Sequence, residues 1–193
     1  MASNGSTRTS NKTGQTLIAI DPCTLSENAL LAEYARVGAY TDCFRTEIPG
    51  CVTQAQFIDA FYTSSVFKLE RIILKWLLSK PSSDAEAKQL AAATIDSFAA
   101  WQVEKRCENQ LLLADFQGRT RSWLMVSPAG TGVDSKTRLY FGSAIVPVPG
   151  ASTGETSPGT GYRVLLEFHR LYSVILLYAA RSRLERNIRA VGT

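Results

Sequence analysis

The chain carries one histidine, four cysteines and 17 acidic side chains, and their spacing decides which chemistries are open to it. A serine or cysteine nucleophile needs a general base, and His169 is the single imidazole available. No Gly-x-Ser-x-Gly turn accompanies it. Its place at the edge of an apolar helical stripe suits a hydrogen-bonded core histidine, with a pocket-lining base or donor as the functional alternative. Asp42, Glu47 and Asp115 supply carboxylates, but no spacing pairs two of them for acid–base work. Cys23, Cys43, Cys51 and Cys107 form no Cys-x-x-Cys and have no neighbouring histidine, so zinc ligation is not expected. Reduced, buried thiols are the expected state. Gly130-Thr131-Gly132 and Gly159-Thr160-Gly161 look superficially like phosphate loops. Neither has the lysine of such a loop, and the second follows an irregular segment instead of a strand. No catalytic residue, metal or cofactor is therefore assigned.

The elements that would position these groups follow from periodicity. At 193 residues, with 45% hydrophobic and 20% charged side chains, the chain suits one domain with a self-sufficient core. Residues 1–16 are polar, lack an apolar stretch and read as a disordered tail; residues 17–193 read as the domain. No run is long enough to span a membrane, since Leu171–Ala180 is too short. The expected location is cytoplasmic. Thr24 and Glu27 suggest a capping box before a helix over Asn28–Val37, closed by Gly38. Ala39–Ile48 reads as a strand. Thr53 with Gln56 opens a helix bearing Phe57, Ala60 and Phe61. A second helix carries Leu69, Ile72, Ile73, Trp76 and Leu77, and Ser83 with Glu86 opens a third piece. Then the period changes. Ala99–Arg106, Gln110–Phe116, Thr120–Ser127 and Thr137–Val148 read as strands, the first three joined by Glu108-Asn109 and Gln117-Gly118. After a Gly/Ser/Thr/Pro connection over Pro149–Gly161, Tyr162–Arg189 has the stripe of a long amphipathic helix, with Arg181, Glu185 and Arg189 on a solvated flank.

Two-residue turns make the strands antiparallel, so the class is α+β and a doubly wound sheet is excluded. The turns also predict a register. Trp101, Val103, Lys105, Leu112, Ala114, Phe116, Arg121, Trp123 and Met125 fall on one face, expected to meet the last helix. Arg121 is then a charge on an apolar face. It is expected either to anchor a polar ligand head group or to snorkel to the rim and pair with an acid.

This order of elements resembles the helix-grip fold of the START-like (SRPBCC) superfamily, in which a curved antiparallel sheet grips a long C-terminal helix, with short helices after the first strand. Arg121-Ser122-Trp123-Leu124 and Phe168-His169-Arg170-Leu171 look like an uncharacterised bacterial branch of it. Leu25–Val37 and the Gly-rich connection lie outside the pattern. The resemblance implies a cavity between sheet and helix that takes an apolar or amphipathic small molecule. Arg121 would set the head group, and Trp101, Trp123, Phe61, His169 and Tyr172 would line the wall.

Two other readings stand beside it. One is a pocketless interaction module whose arginine-rich terminal helix meets an acidic partner or membrane surface. The first 162 residues balance 15 basic against 15 acidic side chains, whereas the last 31 hold six Arg and two Glu. The other is a cyclase- or hydrolase-like cavity with His169 as base. Nucleic acid is not expected as a partner, because one basic helix end lacks groove-reading or stacking elements. Homo-oligomerisation is left open.

Overall fold

A computed structural model describes residues 19–69, 71, 82–130, 132, 135–146 and 160–191; for 160–166, 168 and 191 it describes the backbone alone. The tail over 1–16, the helical run beyond Leu69 with Trp76, and the connection as far as residue 159 lie outside the described residues.

Seven strands form one antiparallel sheet: β1 (Asp21–Pro22), β2 (Tyr40–Pro49), β3 (Ser97–Phe98), β4 (Trp101–Cys107), β5 (Gln110–Asp115), β6 (Thr120–Ala129) and β7 (Lys136–Ile145). Their spatial order is β1-β2-β7-β6-β5-β4-β3, an open sheet whose two edges are both two-residue strands. Edges this short offer little backbone to a foreign strand. Helices among the described residues include α1 (Ala32–Arg36), α2 (Gln54–Tyr62), α3 (Asp84–Ala91) and α4 (Thr160–Val191), and residues 65–69 are helical as well. The fold class is α+β, as the strand periodicity requires.

Two of the three expected capping boxes form. Thr53 and Gln56 satisfy each other's backbone N–H at the start of α2, and Ser83 with Glu86 does the same for α3. The third does not. Residues 28–31 are turns and irregular chain, and α1 starts only at Ala32, after a Leu31 N-cap with no side-chain hydrogen bond. Thr24 and Glu27 cap nothing there.

Both faces of the sheet are covered, by different elements. Leu111, Leu113, Leu124, Val126, Leu139, Phe141, Phe44 and Ile48 face α2 and the Leu176, Leu177, Ala180 and Leu184 side of α4. On the other face Leu112, Trp123, Ala144 and Cys43 pack under Ala29, Leu31 and Ala32. The segment outside the helix-grip pattern is thus the lid of the second face.

This corrects the expected orientation. Between β5 and β6 the predicted pairs Leu112–Trp123 and Ala114–Arg121 form, but their face is turned away from α4. Between β4 and β5 a bulge at Glu104 shifts the register: Lys105 still opposes Leu112, whereas Val103 opposes Leu113 and Trp101 opposes Asp115. One extra residue reverses every side chain before it. Trp101 and Val103 accordingly pack on the α4 face, and Trp101 and Trp123 do not share a wall. Phe116, also expected in the core, is 52% exposed. The turn after β5 takes four residues, not two: Gly118 has φ +68, and its N–H donates to Asp115 O at 2.9 Å.

Gly142 marks where the lid sits closest. A Cβ there would stand 2.8 Å from the Asp42 carbonyl oxygen, 2.9 Å from Leu31 Cδ2 and 3.0 Å from the Trp123 ring. The backbone oxygen cannot swing aside. Gly142→Ala is expected to cost about 1–3 kcal/mol by overpacking, measured by urea denaturation. A stability equal to wild type would show that Leu31 does not seat there.

Candidate functional site

Three polar constellations lie where the elements meet, and they differ in whether their hydrogen bonds are complete. The first surrounds Arg121. The bulge at Glu104 turns that carboxylate onto the Trp123 face, where it accepts from Arg121 Nε at 2.6 Å and from the Tyr34 hydroxyl. Arg121 Nε also reaches Tyr34 Oη at 2.8 Å, and its Nη1 donates to the carbonyls of Gly118 at 2.9 Å and Thr120 at 3.2 Å. The guanidinium lies 4.7 Å over the Tyr34 ring. Burial and the Glu104 contact push the Tyr34 phenol above its usual value, so the hydroxyl keeps its proton for Glu104. Arg121 is held by its own chain, with Glu104 as the acidic partner.

The second joins sheet to helix. Asp42 on β2 accepts at Oδ1 from Ser143 N at 3.0 Å and Ser143 Oγ at 2.6 Å, and at Oδ2 from Ser173 Oγ at 3.5 Å. His169 Nε2 is 2.6 Å from the same Ser143 Oγ and 3.8 Å from Asp42 Oδ2. The serine proton is given to Asp42, so His169 Nε2 must donate to Ser143. Acyl transfer needs the opposite arrangement, with the imidazole receiving the serine proton and the carboxylate on its far nitrogen. Asp42, Ser143 and Ser173 are buried. The group acts as a polar lock between β2, β7 and α4. Asp42 was legible in the sequence only as one of three available carboxylates and Ser143 not at all, although a carboxylate in phase with Phe44, Thr46 and Ile48 on one strand face was the available signal for a buried partner.

The third is incomplete. Among the described residues no strand pairs with the outer edge of β2 beyond the short β1, and α4 approaches that edge with Arg181. A cleft of about 480 Å³ forms there, lined by Ala19, Asp21, residues 45–49, Lys136 and Arg181. Arg181 is 6% exposed, not on the solvated flank expected for it. Its Nε donates to Glu47 O at 2.9 Å, and its Nη2 pairs with Glu185 at 3.0 Å. Nη1 is buried and, among the described residues, has no hydrogen-bond partner. A guanidinium N–H left dry and unmatched costs about 1–3 kcal/mol or more. Arg45 and Lys136 add charge, Asp21 and Glu47 oppose it, and the lining carries one net positive charge. Glu47 is largely engaged: Arg138 bonds it at 2.7 Å and holds its carboxyl below the usual range. Arg45 makes no ion pair among the described residues.

The remaining expected site residues are dispersed. Trp123 is 1% exposed under the 29–32 lid, and its Nε1 donates to Gln110 Oε1 at 2.9 Å. Trp101 is half-buried on the α4 face. Phe61 is 1% exposed among Phe57, Tyr62, Phe67 and Phe141. Tyr172 is partly buried against the same cluster. The six side chains therefore do not share one cavity wall. Two thiols also depart from the buried state expected of them: Cys43 is buried and Cys23 half-buried, but Cys51 and Cys107 are exposed. No helix among the described residues is long and apolar enough to cross a membrane.

Compared with family models, curated proteins and solved structures, the chain matches none.

Proposed function

We propose that the protein binds a small amphipathic anion, a carboxylate or phosphate ester, in the cleft between the β2 edge and α4. The observation that carries this reading is the buried, unpartnered Nη1 of Arg181 on the wall of an open cleft. An anionic oxygen would complete that guanidinium with a charge-assisted hydrogen bond. Arg45 and Lys136 would hold the remaining charge, while the exposed Pro49 and Ala19 offer apolar surface for the rest of the molecule. The reading keeps the helix-grip proposal of a ligand held between sheet and terminal helix, but it moves the head-group anchor from Arg121 to Arg181. Arg121 has an acid, a phenol and two carbonyls about it, and Arg181 has an N–H to spare.

Isothermal titration of the full chain with myristate and with myristyl phosphate tests the proposal. Wild type should bind at least one of them. Arg181→Met, which keeps the stem but removes the fork, should weaken binding roughly tenfold or more, the loss of one charged hydrogen bond. Circular dichroism checks that the variant is folded. Binding unchanged in folded Arg181→Met, or no binding of either probe by wild type, would remove this function.

A further inference from the structure

We propose that Cys23 and Cys43 form a peroxide-reactive dithiol, in which Cys23 attacks first and Cys43 closes the disulfide. The inference is independent of the anion cleft. β1 and β2 pair Asp21 with Arg45 and Pro22 with Phe44, which sets Cys23 directly opposite Cys43. The Cys23 N–H donates to Cys43 O at 2.9 Å. Directly opposed residues in a hydrogen-bonded antiparallel pair stand about 5.5 Å apart at Cα. That lies within the roughly 4.4–6.8 Å that a disulfide bridges. Opposed side chains share a sheet face, and each thiol perturbs the other's ionisation.

Access is asymmetric in the way such chemistry needs. Cys23 is half-buried and Cys43 buried. Both line two clefts, of about 830 and 400 Å³, on either side of the 23–28 segment. The neighbouring Cys43 thiol, aided by the Arg45 charge, holds the Cys23 thiol below its ordinary value against the opposing effect of burial. The neighbouring Cys23 thiol and burial push Cys43 up. Cys23 is the better thiolate, and Cys43 is the thiol kept in reserve.

The steps balance with a peroxide as oxidant. The Cys23 thiolate attacks one peroxide oxygen, an S–O bond forms, the O–O bond breaks, and the departing oxygen leaves as water or an alcohol after taking a proton. Cys43 then attacks the Cys23 sulfenic acid; the S–S bond forms, the S–O bond breaks, and hydroxide leaves with the Cys43 proton as water. The dithiol is oxidised by two electrons and the peroxide is reduced by two. Two equivalents of a cellular thiol restore the pair: the first attacks the Cys23–Cys43 bond to give a mixed disulfide, and the second releases both protein thiols and leaves as the external disulfide.

The test uses the full chain with Cys51→Ser and Cys107→Ser, which removes the two exposed thiols. Hydrogen peroxide followed by non-reducing peptide mass spectrometry should yield a Cys23–Cys43 cross-linked peptide. With Cys43→Ser added, dimedone should trap a sulfenic acid on Cys23. With Cys23→Ser added instead, oxidation of Cys43 should slow roughly tenfold or more. A measurement that leaves the pair intact guards against misfolding: limited iodoacetamide should label Cys23 before Cys43. Absence of the cross-link, or Cys43 reacting first in either assay, would overturn the proposal.

Discussion

Trp123→Ala should lose about 3–5 kcal/mol of folding stability, the range for deleting a large buried aromatic, read as a lower urea midpoint. The indole is 1% exposed and lies between the sheet and the lid formed by Ala29, Leu31 and Ala32. Its loss is not only one of volume. Trp123 Nε1 donates to Gln110 Oε1, which also accepts from Leu30 N at 2.9 Å, while Gln110 Nε2 donates to Asn28 O at 3.1 Å. One buried amide thus ties the tryptophan to the lid backbone. Removing the indole opens a void and frees one of the bonds that fixes Gln110, so the 28–36 segment should loosen with it. Hydrogen exchange should report faster exchange at Leu30 in the variant. Anion binding at the β2 edge should persist, because Trp123 is not among the residues lining that cleft. A variant with wild-type stability would contradict the two-faced core.

The contrast between what was and was not legible comes down to local against non-local determinants. Capping at Thr53 and Ser83, the strand order of the meander and the long terminal helix are written in nearest neighbours, and all of them form. The facing of the sheet is not local. The hairpin at Glu108-Asn109 does fix Lys105 opposite Leu112, but the bulge one residue earlier has no glycine to announce it. Its stabilisation is tertiary: Glu104 gains Arg121 and Tyr34 by being turned over. One sequence signal for a doubly covered sheet was present. Leu111-Leu112-Leu113 is a continuous apolar run, which a strand with one wet face does not carry, and all three are buried. Arg181 was the harder case. Its i, i+4 partner Glu185 is the pattern of a solvated flank, and only the open edge of β2, ended by a two-residue β1, draws it inward to the Glu47 carbonyl.

Phe61→Ala tests the other face and the question of where a ligand fits. Phe61 is 1% exposed, with ring centroids 4.8 Å from Phe141, 5.1 Å from Tyr62, 6.0 Å from Phe67 and 6.1 Å from Phe57. These rings come from α2, the helical turn at residues 65–69 and β7, so one side chain couples three elements beneath α4. Had Phe61 bordered a ligand chamber, truncation would widen existing space and cost little. In a packed cluster it removes dispersion contacts on every side, and the expected loss is about 3–5 kcal/mol. The space created would be lined by carbon alone and stay dry. Benzene or xenon should then raise the melting temperature of Phe61→Ala and leave wild type unmoved. Equal stabilisation of both proteins would mean that the native chain already holds an apolar chamber at Phe61, and the ligand site would belong there instead of at Arg181.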